Sequence, residues 1–368
     1  MPDFPIIDMD IHPRESRLFP LEPHIPEYAR EALNQRLGGA PQNGYGNPTG
    51  SADRRDAVCV DPKQTAIDHL DRYNIAYAVI QPPGMTVALT NQIDVGNALA
   101  IAWNDWQIEH WLNADARYLG SICVNMRDPK AAVEEIKRCA KDPQMKQLCI
   151  SGESDDLYGH RRYYPIYEAA AEHKLAITIH PGREGSLNSV TPIGRVSNYF
   201  EWHTLIPLTY QAHLVSLVAE GVFEKFPSLK FILCEGGIAW LCHTMWRMEK
   251  NFKGLRSTVP WLKRLPSEYI FDHIRLTTQP LEEPQKSEHL LQIFDMVKAE
   301  KTVCFATDFP HWDFDDPDRV FPKSMSDHLL RRIMYENSAE TFGLPTLEET
   351  IERKASVGAT HASPAMAG

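Results

Sequence analysis

Eight short apolar runs, each followed by a longer stretch with the apolar spacing of a helix, constrain this chain more than any other feature. The runs fall at 5–9, 77–81, 119–124, 147–150, 176–180, 230–234, 274–278 and 302–306. Most are rich in Ile, Val, Leu and Thr and are only four to six residues long, which suits buried strands rather than helices. The stretches between them, for example 94–114, 129–139, 164–173 and 205–220, repeat apolar residues at helical intervals. Strands that alternate with helices form a parallel sheet, either closed into a barrel or left open and covered on both faces.

The polar residues favour closure. Asp10, His12, His180, Glu235 and Asp308 all fall at or just beyond the C-terminal ends of the expected strands. A barrel gathers its chemistry at that end. An open sheet gathers ligands at one crevice, often beside a Gly-rich phosphate loop, and neither G-x-G-x-x-G nor a Walker sequence occurs. The expected fold is therefore an α/β, (β/α)8 TIM barrel: a single domain over residues 1–350 with loop insertions. The Gly-, Pro-, Asn- and Asp-rich stretch 38–63 reads as one such loop, and the segment 183–200 as another. The Ala/Ser/Gly-rich stretch 351–368 reads as a flexible C-terminal tail.

Composition narrows the setting. With 38 Lys and Arg against 49 Asp and Glu, the formal net charge is −11, which argues against nucleic acid or an anionic membrane surface as a partner. No apolar run reaches the length of a membrane-spanning helix, and the N-terminus lacks the pattern of a signal peptide. Seven cysteines scattered through apolar runs suit reduced, buried thiols in a cytoplasmic protein.

Three segments carry the chemistry. In Asp8-Met9-Asp10-Ile11-His12, extended backbone places residues i and i+2 on one face, so Asp8, Asp10 and His12 are expected to align. A carboxylate and an imidazole at adjacent same-face positions can hold a divalent ion such as Zn, Mn or Fe. The run Ala176-Ile177-Thr178-Ile179-His180-Pro181-Gly182 sets an imidazole at a strand mouth. The run Val303 to His311 delivers Asp308 from a buried strand, where a carboxylate needs a partner, with His311 three residues on. First, middle and last strands converge only if the first and last are neighbours, as closure requires.

The pattern resembles the amidohydrolase superfamily, in particular the amidohydrolase-related group that includes aminocarboxymuconate semialdehyde decarboxylase and several aromatic-acid decarboxylases. The resemblance spans about 6–344 and includes Phe226-Pro227-Ser228-Leu229-Lys230, Glu235-Gly236-Gly237, Ala306-Thr307-Asp308-Phe309-Pro310-His311 and Glu336-Asn337-Ser338-Ala339. It implies that Asp10, His12, His180 and Asp308 ligate the metal. It also implies self-association, either with itself or with a related barrel subunit.

Two departures stand out. The first-strand motif is Asp10-x-His12 rather than His-x-His, and Glu235 replaces the His that precedes the Gly-Gly turn as general acid/base. A Glu there can still shuttle protons if its pKa is raised, or it can join His203 and His311 around a second metal. Arg183 is a candidate for binding a substrate carboxylate and Trp240 for walling the pocket, while Trp246 is expected to pack. Thr277 and Thr278 are candidates for hydrogen bonds to substrate.

The leading expectation is a metal-dependent hydrolase or non-oxidative decarboxylase acting on a small carboxylated molecule, with Glu235 as acid/base and Asp308 as a ligand that assists proton transfer. The alternatives are a dinuclear Fe or Mn/Fe oxygenase and a structural subunit paired with an active paralogue.

Overall fold

A computed structural model describes residues 2–13, 26, 58–82, 90–182, 194–197, 199–311 and 313–361. Eight parallel strands lie in sequence order: β1 Ile6–Ile11, β2 Ile75–Ile80, β3 Tyr118–Cys123, β4 Met145–Ser151, β5 Ala176–His180, β6 Phe231–Leu233, β7 Ile274–Thr277 and β8 Val303–Cys304. Helices intervene, among them Ile93–Trp106, Pro129–Cys139, Tyr164–Glu172, Tyr199–Ala219 and Trp240–Leu255.

The sheet closes beyond β8. Met9 donates its backbone N–H to Phe305 O at 2.9 Å, Asp308 donates to Asp10 O at 3.1 Å, and His12 donates to Phe309 O at 2.7 Å. The barrel is therefore complete, as the strand alternation implies, and the segments that carry Asp10 and His12 and that carry Asp308 are neighbours. β8 is shorter than the 302–306 run because the chain changes partners: Phe305 N turns to Ile333 O at 3.0 Å while its carbonyl takes the bond from β1.

Local chemistry explains the helices. Asp128 caps Pro129–Cys139 by accepting from Ala131 N at 3.1 Å, Pro129 opens the first turn, and Lys137 and Arg138 complement the C-terminal end. Ala132, Ile136 and Cys139 form its buried stripe. All seven cysteines are free and buried, as expected of small core residues. Trp246 departs from expectation: it lies on the outer face of Trp240–Leu255 and is 58% exposed. Helix Leu347–His361 continues past Ile351. Arg183 and most of the 38–63 stretch lie outside the described residues. Among those described, no helix is long and apolar enough to cross a membrane.

Helix Tyr199–Ala219 is apolar on most sides and is pinned to the β4 end of the barrel by His213. Its Nε2–H donates to Gly152 O at 2.7 Å, Nδ1 accepts from Tyr158 N at 3.2 Å, and the ring stacks on Tyr158 at 4.2 Å. Burial, opposed by the Gly152 carbonyl, lowers the imidazole to about 4. The unfolded chain therefore binds a proton here between pH 6.5 and 4 that the folded chain refuses. This contribution to stability is complete above pH 6.5 and is lost as pH falls through that window, by up to about 3 kcal/mol. In urea titrations His213→Asn should be less stable than wild type at pH 8, with the gap closing by pH 4.5. An unchanged gap would show that His213 does not govern the acid limb.

Candidate metal centre

Each donor arrives from the C-terminal end of its strand. Asp10 and His12 leave β1, His180 ends β5, Glu235 follows β6 by two residues and Asp308 follows β8 by four. None of the five is more than 7% exposed. The His12 Nε2 atom lies 3.0 Å from Asp10 Oδ1, 3.0 Å from Asp308 Oδ1 and 3.3 Å from Glu235 Oε1. The His180 Nε2 atom lies 2.7 Å from Glu235 Oε1 and 3.6 Å from Asp10 Oδ2. His311 brings Nδ1 to 2.5 Å from Asp308 Oδ1 and stacks on His12 with ring centres 4.1 Å apart.

Two overlapping donor sets result. One is Asp10, His12, His180 and Glu235; the other is His12, Glu235, Asp308 and His311. Within each set one ligand atom per residue lies within 4.8 Å of all the others. The structure thus groups Glu235 with the three donors from β1 and β5, and sets Asp308 beside His311. His203 belongs to neither set: it sits inside helix Tyr199–Ala219, with Nε2 3.2 Å from Asp313 Oδ2. Trp240 is half-buried and spends its indole N–H on the carbonyls of Gly236 and Gly237, at 2.8 and 3.1 Å.

A divalent cation fits this cluster. Asp10 Oδ1, His180 Nε2 and both carboxylate oxygens of Asp308 are buried without a hydrogen-bond partner, although other donor atoms crowd them. Imidazole and carboxylate atoms from four strand ends thus face one small region, the arrangement a shared cation requires. His180 Nδ1 is 2.7 Å from Pro181 O, so that nitrogen carries the proton and Nε2 presents its lone pair, the tautomer a metal requires.

With the protein's own charges alone, the acids and imidazoles share protons unevenly. Burial works against a charged His180, but Glu235 and Asp10 hold it up at about 10. Burial likewise opposes charge on His12, which Asp10, Asp308 and Glu235 nevertheless raise well above the ordinary value. Glu235, despite burial, is held well below the usual carboxylate range by His180 and His12. Asp308 goes the other way: burial and the Glu235 charge raise it well above that range, outweighing His12. Neighbouring carboxylates disfavour each other's charge, and here burial and the charges of Glu235 and Asp10 push against ionisation of Asp308.

Both acids occupy strained backbone. Glu235 has φ 58° and Asp308 has φ 59°, the left-handed region that costs a non-Gly residue about 1–2 kcal/mol. Thr277 Oγ1 accepts the Glu235 N–H at 3.0 Å, so this threonine shapes the Glu-Gly-Gly turn instead of standing ready for substrate. A Cβ at Gly236 would meet Tyr210 Cδ2 at 2.6 Å, and one at Gly237, itself at φ 67°, would meet Glu282 Oε1 at 2.8 Å. Beneath the centre, Cys234 Sγ lies 3.2 Å from Asp10 Oδ2. A buried layer of Gln81, Ser121, Gln147 and Thr178 extends below it, with Gln147 Nε2 donating to Ser121 Oγ at 2.8 Å. These supporting groups carried no sequence signal beyond polar residues inside apolar strands.

Comparison with known proteins agrees. The amidohydrolase family profile matches residues 7–344. Gamma-resorcylate decarboxylase of Polaromonas sp. is 23% identical over 300 residues, covering 77% of this chain and 88% of that protein. The 2-amino-3-carboxymuconate-6-semialdehyde decarboxylase of Dictyostelium discoideum is 22% identical over 258 residues, covering 69% and 68%. Among solved structures, 5-carboxyvanillate decarboxylase from Sphingomonas paucimobilis superposes with a TM-score of 0.68 at 19% identity, over 93% of this chain and 100% of that one. An amidohydrolase from Mycobacterium avium subsp. paratuberculosis superposes with a TM-score of 0.71 at 18% identity, over 94% and 99%. Closed barrel, strand-end donor cluster and family profile together establish that this chain belongs to the amidohydrolase family and is built as one of its metal-dependent enzymes.

Proposed function

We propose that the protein is a divalent-metal-dependent, non-oxidative decarboxylase of a small carboxylated aromatic molecule. The observation that carries the reading is the placement of Asp308, a buried acid 3.0 Å from His12 and 2.5 Å from His311, beside the donor set Asp10, His12, His180 and Glu235 but outside it. Three of the four relatives cited above are decarboxylases by name, and a dihydroxybenzoic acid decarboxylase from Polaromonas sp. has been solved with bound manganese and 2-nitroresorcinol.

Asp10, His12 and His180 are the proposed ligands, joined by Glu235, whose depressed pKa suits an anionic donor. A bound divalent ion supplies positive charge that anchors and polarises the anionic substrate. Asp308 stands at the edge of that set, as a ligand candidate and as the proton carrier. Its proton passes to the ring carbon bearing the carboxylate. The carbon–carbon bond then breaks, its electron pair restores the ring, carbon dioxide leaves, and Asp308 recovers a proton from solvent. The roles of the two acids are thus exchanged relative to the sequence-based expectation.

The test is incubation of the manganese-loaded protein in D2O with a panel of hydroxybenzoates, following CO2 release and ring deuteration. Release with one deuterium at the vacated carbon, absent from chelator-treated protein and restored by Mn2+, is expected. A second reading, a dinuclear Fe or Mn/Fe oxygenase, draws support from the two donor sets that share His12 and Glu235. Two metals per chain, with oxygen consumed and no CO2 released across the panel, would replace the decarboxylase reading.

A further inference from the structure

Asp8 was expected to share a face with Asp10 and His12, and it does not. Its β2 partner is Ala78 while that of Ile11 is Ile80, so β1 advances three residues where β2 advances two. The extra residue is a bulge, which interrupts the two-residue alternation and re-aims the side chains beyond it. Asp10 and His12 are turned to the centre, and Asp8 is directed elsewhere.

A bulge leaves backbone groups without their ladder partners. Here Asp8 fills the gap from its own side chain. Its Oδ1 accepts the Asp10 N–H at 3.2 Å and the Thr307 N–H at 2.9 Å. Its Oδ2 accepts the Thr307 hydroxyl at 2.6 Å and lies 2.8 Å from His69 Nε2. Gln81 Nε2 takes the Met9 carbonyl at 3.1 Å from the other side. One fully buried carboxylate therefore receives four donors and joins the backbone of β1 to the segment after β8.

The segment so held is the one that bears Asp308. Thr307 is bonded to Asp8, and its Oγ1 also accepts the Phe309 N–H at 3.2 Å. Phe309 in turn stacks on His69, with ring centres 4.2 Å apart and planes 11° from parallel. The residues on both sides of Asp308 are thus fixed to one unit, which holds the intervening residue at φ 59°.

We propose that Asp8, oriented by His69, is a positioning residue that sets the spacing between Asp10 and Asp308 and so tunes the affinity of the centre for its cation. The proposal rests on reading those two acids as parts of the cation site. Groups behind metal ligands commonly change metal affinity by about 10–100-fold when removed, and a clamp joining two donor-bearing segments should act at that scale.

The experiment is Mn2+ titration followed by the EPR signal of free ion, on wild type and on Asp8→Asn, Thr307→Val and Thr307→Ser. Asp8→Asn and Thr307→Val should raise the Mn2+ dissociation constant at least tenfold. Thr307→Ser, which keeps the hydroxyl, should stay within about threefold of wild type. Asn104→Ala serves as the stability control: it breaks buried bonds to Cys123 and Glu135 and should destabilise the fold without moving the dissociation constant. If Asp8→Asn does not fold, the Thr307 pair decides. Affinities equal to wild type in both folded Asp8→Asn and Thr307→Val, or equal losses in Thr307→Val and Thr307→Ser, would overturn the proposal. Absence of Mn2+ binding by wild type would instead overturn the reading of the site.

Discussion

His180→Ala should purify as a folded barrel that retains almost no divalent metal, with decarboxylation reduced at least a hundredfold. The expectation follows from how firmly this imidazole is committed. Its Nδ1–H is held by the Pro181 carbonyl at 2.7 Å, and its Nε2 is buried, without a hydrogen-bond partner, 2.7 Å from Glu235 Oε1. Loss of a group behind a ligand already costs about 10–100-fold in affinity or activity, so loss of the ligand itself sets a larger floor. The β5 ladder remains, because it runs through backbone groups of Ala176–His180. Metal analysis beside circular dichroism separates the two effects. A folded variant with wild-type metal content would remove His180 from the site.

The barrel was legible because its signal is repeated: eight buried strands, each too short for a helix, alternate with amphipathic segments. Even β8, cut to Val303–Cys304, lies within its expected run. The donors were legible for a related reason, since a charged or imidazole side chain ending an apolar run must meet something that compensates it. What the sequence conceals is local irregularity. Nothing in Asp8-Met9-Asp10 announces a bulge, so period-two reasoning aligned Asp8 with residues it does not accompany. The left-handed backbone at Glu235 and Asp308 is equally hidden, because neither is a glycine and both conformations are imposed by neighbours such as Thr277 and Asp10. Helix capping depends on adjacent residues and could be read. His203 could not be placed, because its partner Asp313 is 110 positions away and nothing local joins them.

Those hidden constraints bear most directly on Asp308. Asp308→Asn should keep the fold and bind metal within about tenfold of wild type, yet lose about 10²–10⁴ in kcat, the usual contribution of a positioned general acid. An amide has the shape of the protonated acid and carries no charge, so it fits the strained turn, whose Asp308 N–H to Asp10 O bond at 3.1 Å is a backbone contact. It cannot give up a proton to carbon. The pH dependence supplies an independent readout. Burial and the Glu235 charge raise the folded pKa of Asp308, so the folded chain keeps a proton that the unfolded chain has already released. In metal-free protein this contribution to stability is complete below the ordinary carboxylate range and is lost as pH rises through the raised value. Metal-free Asp308→Asn lacks that loss, and its stability relative to wild type should increase from pH 5 to pH 8. A bound cation lowers the acid's pKa and should shrink the difference. If the variant instead loses its metal outright while single-turnover proton transfer survives on re-addition of Mn2+, Asp308 is a ligand only and does not deliver the proton.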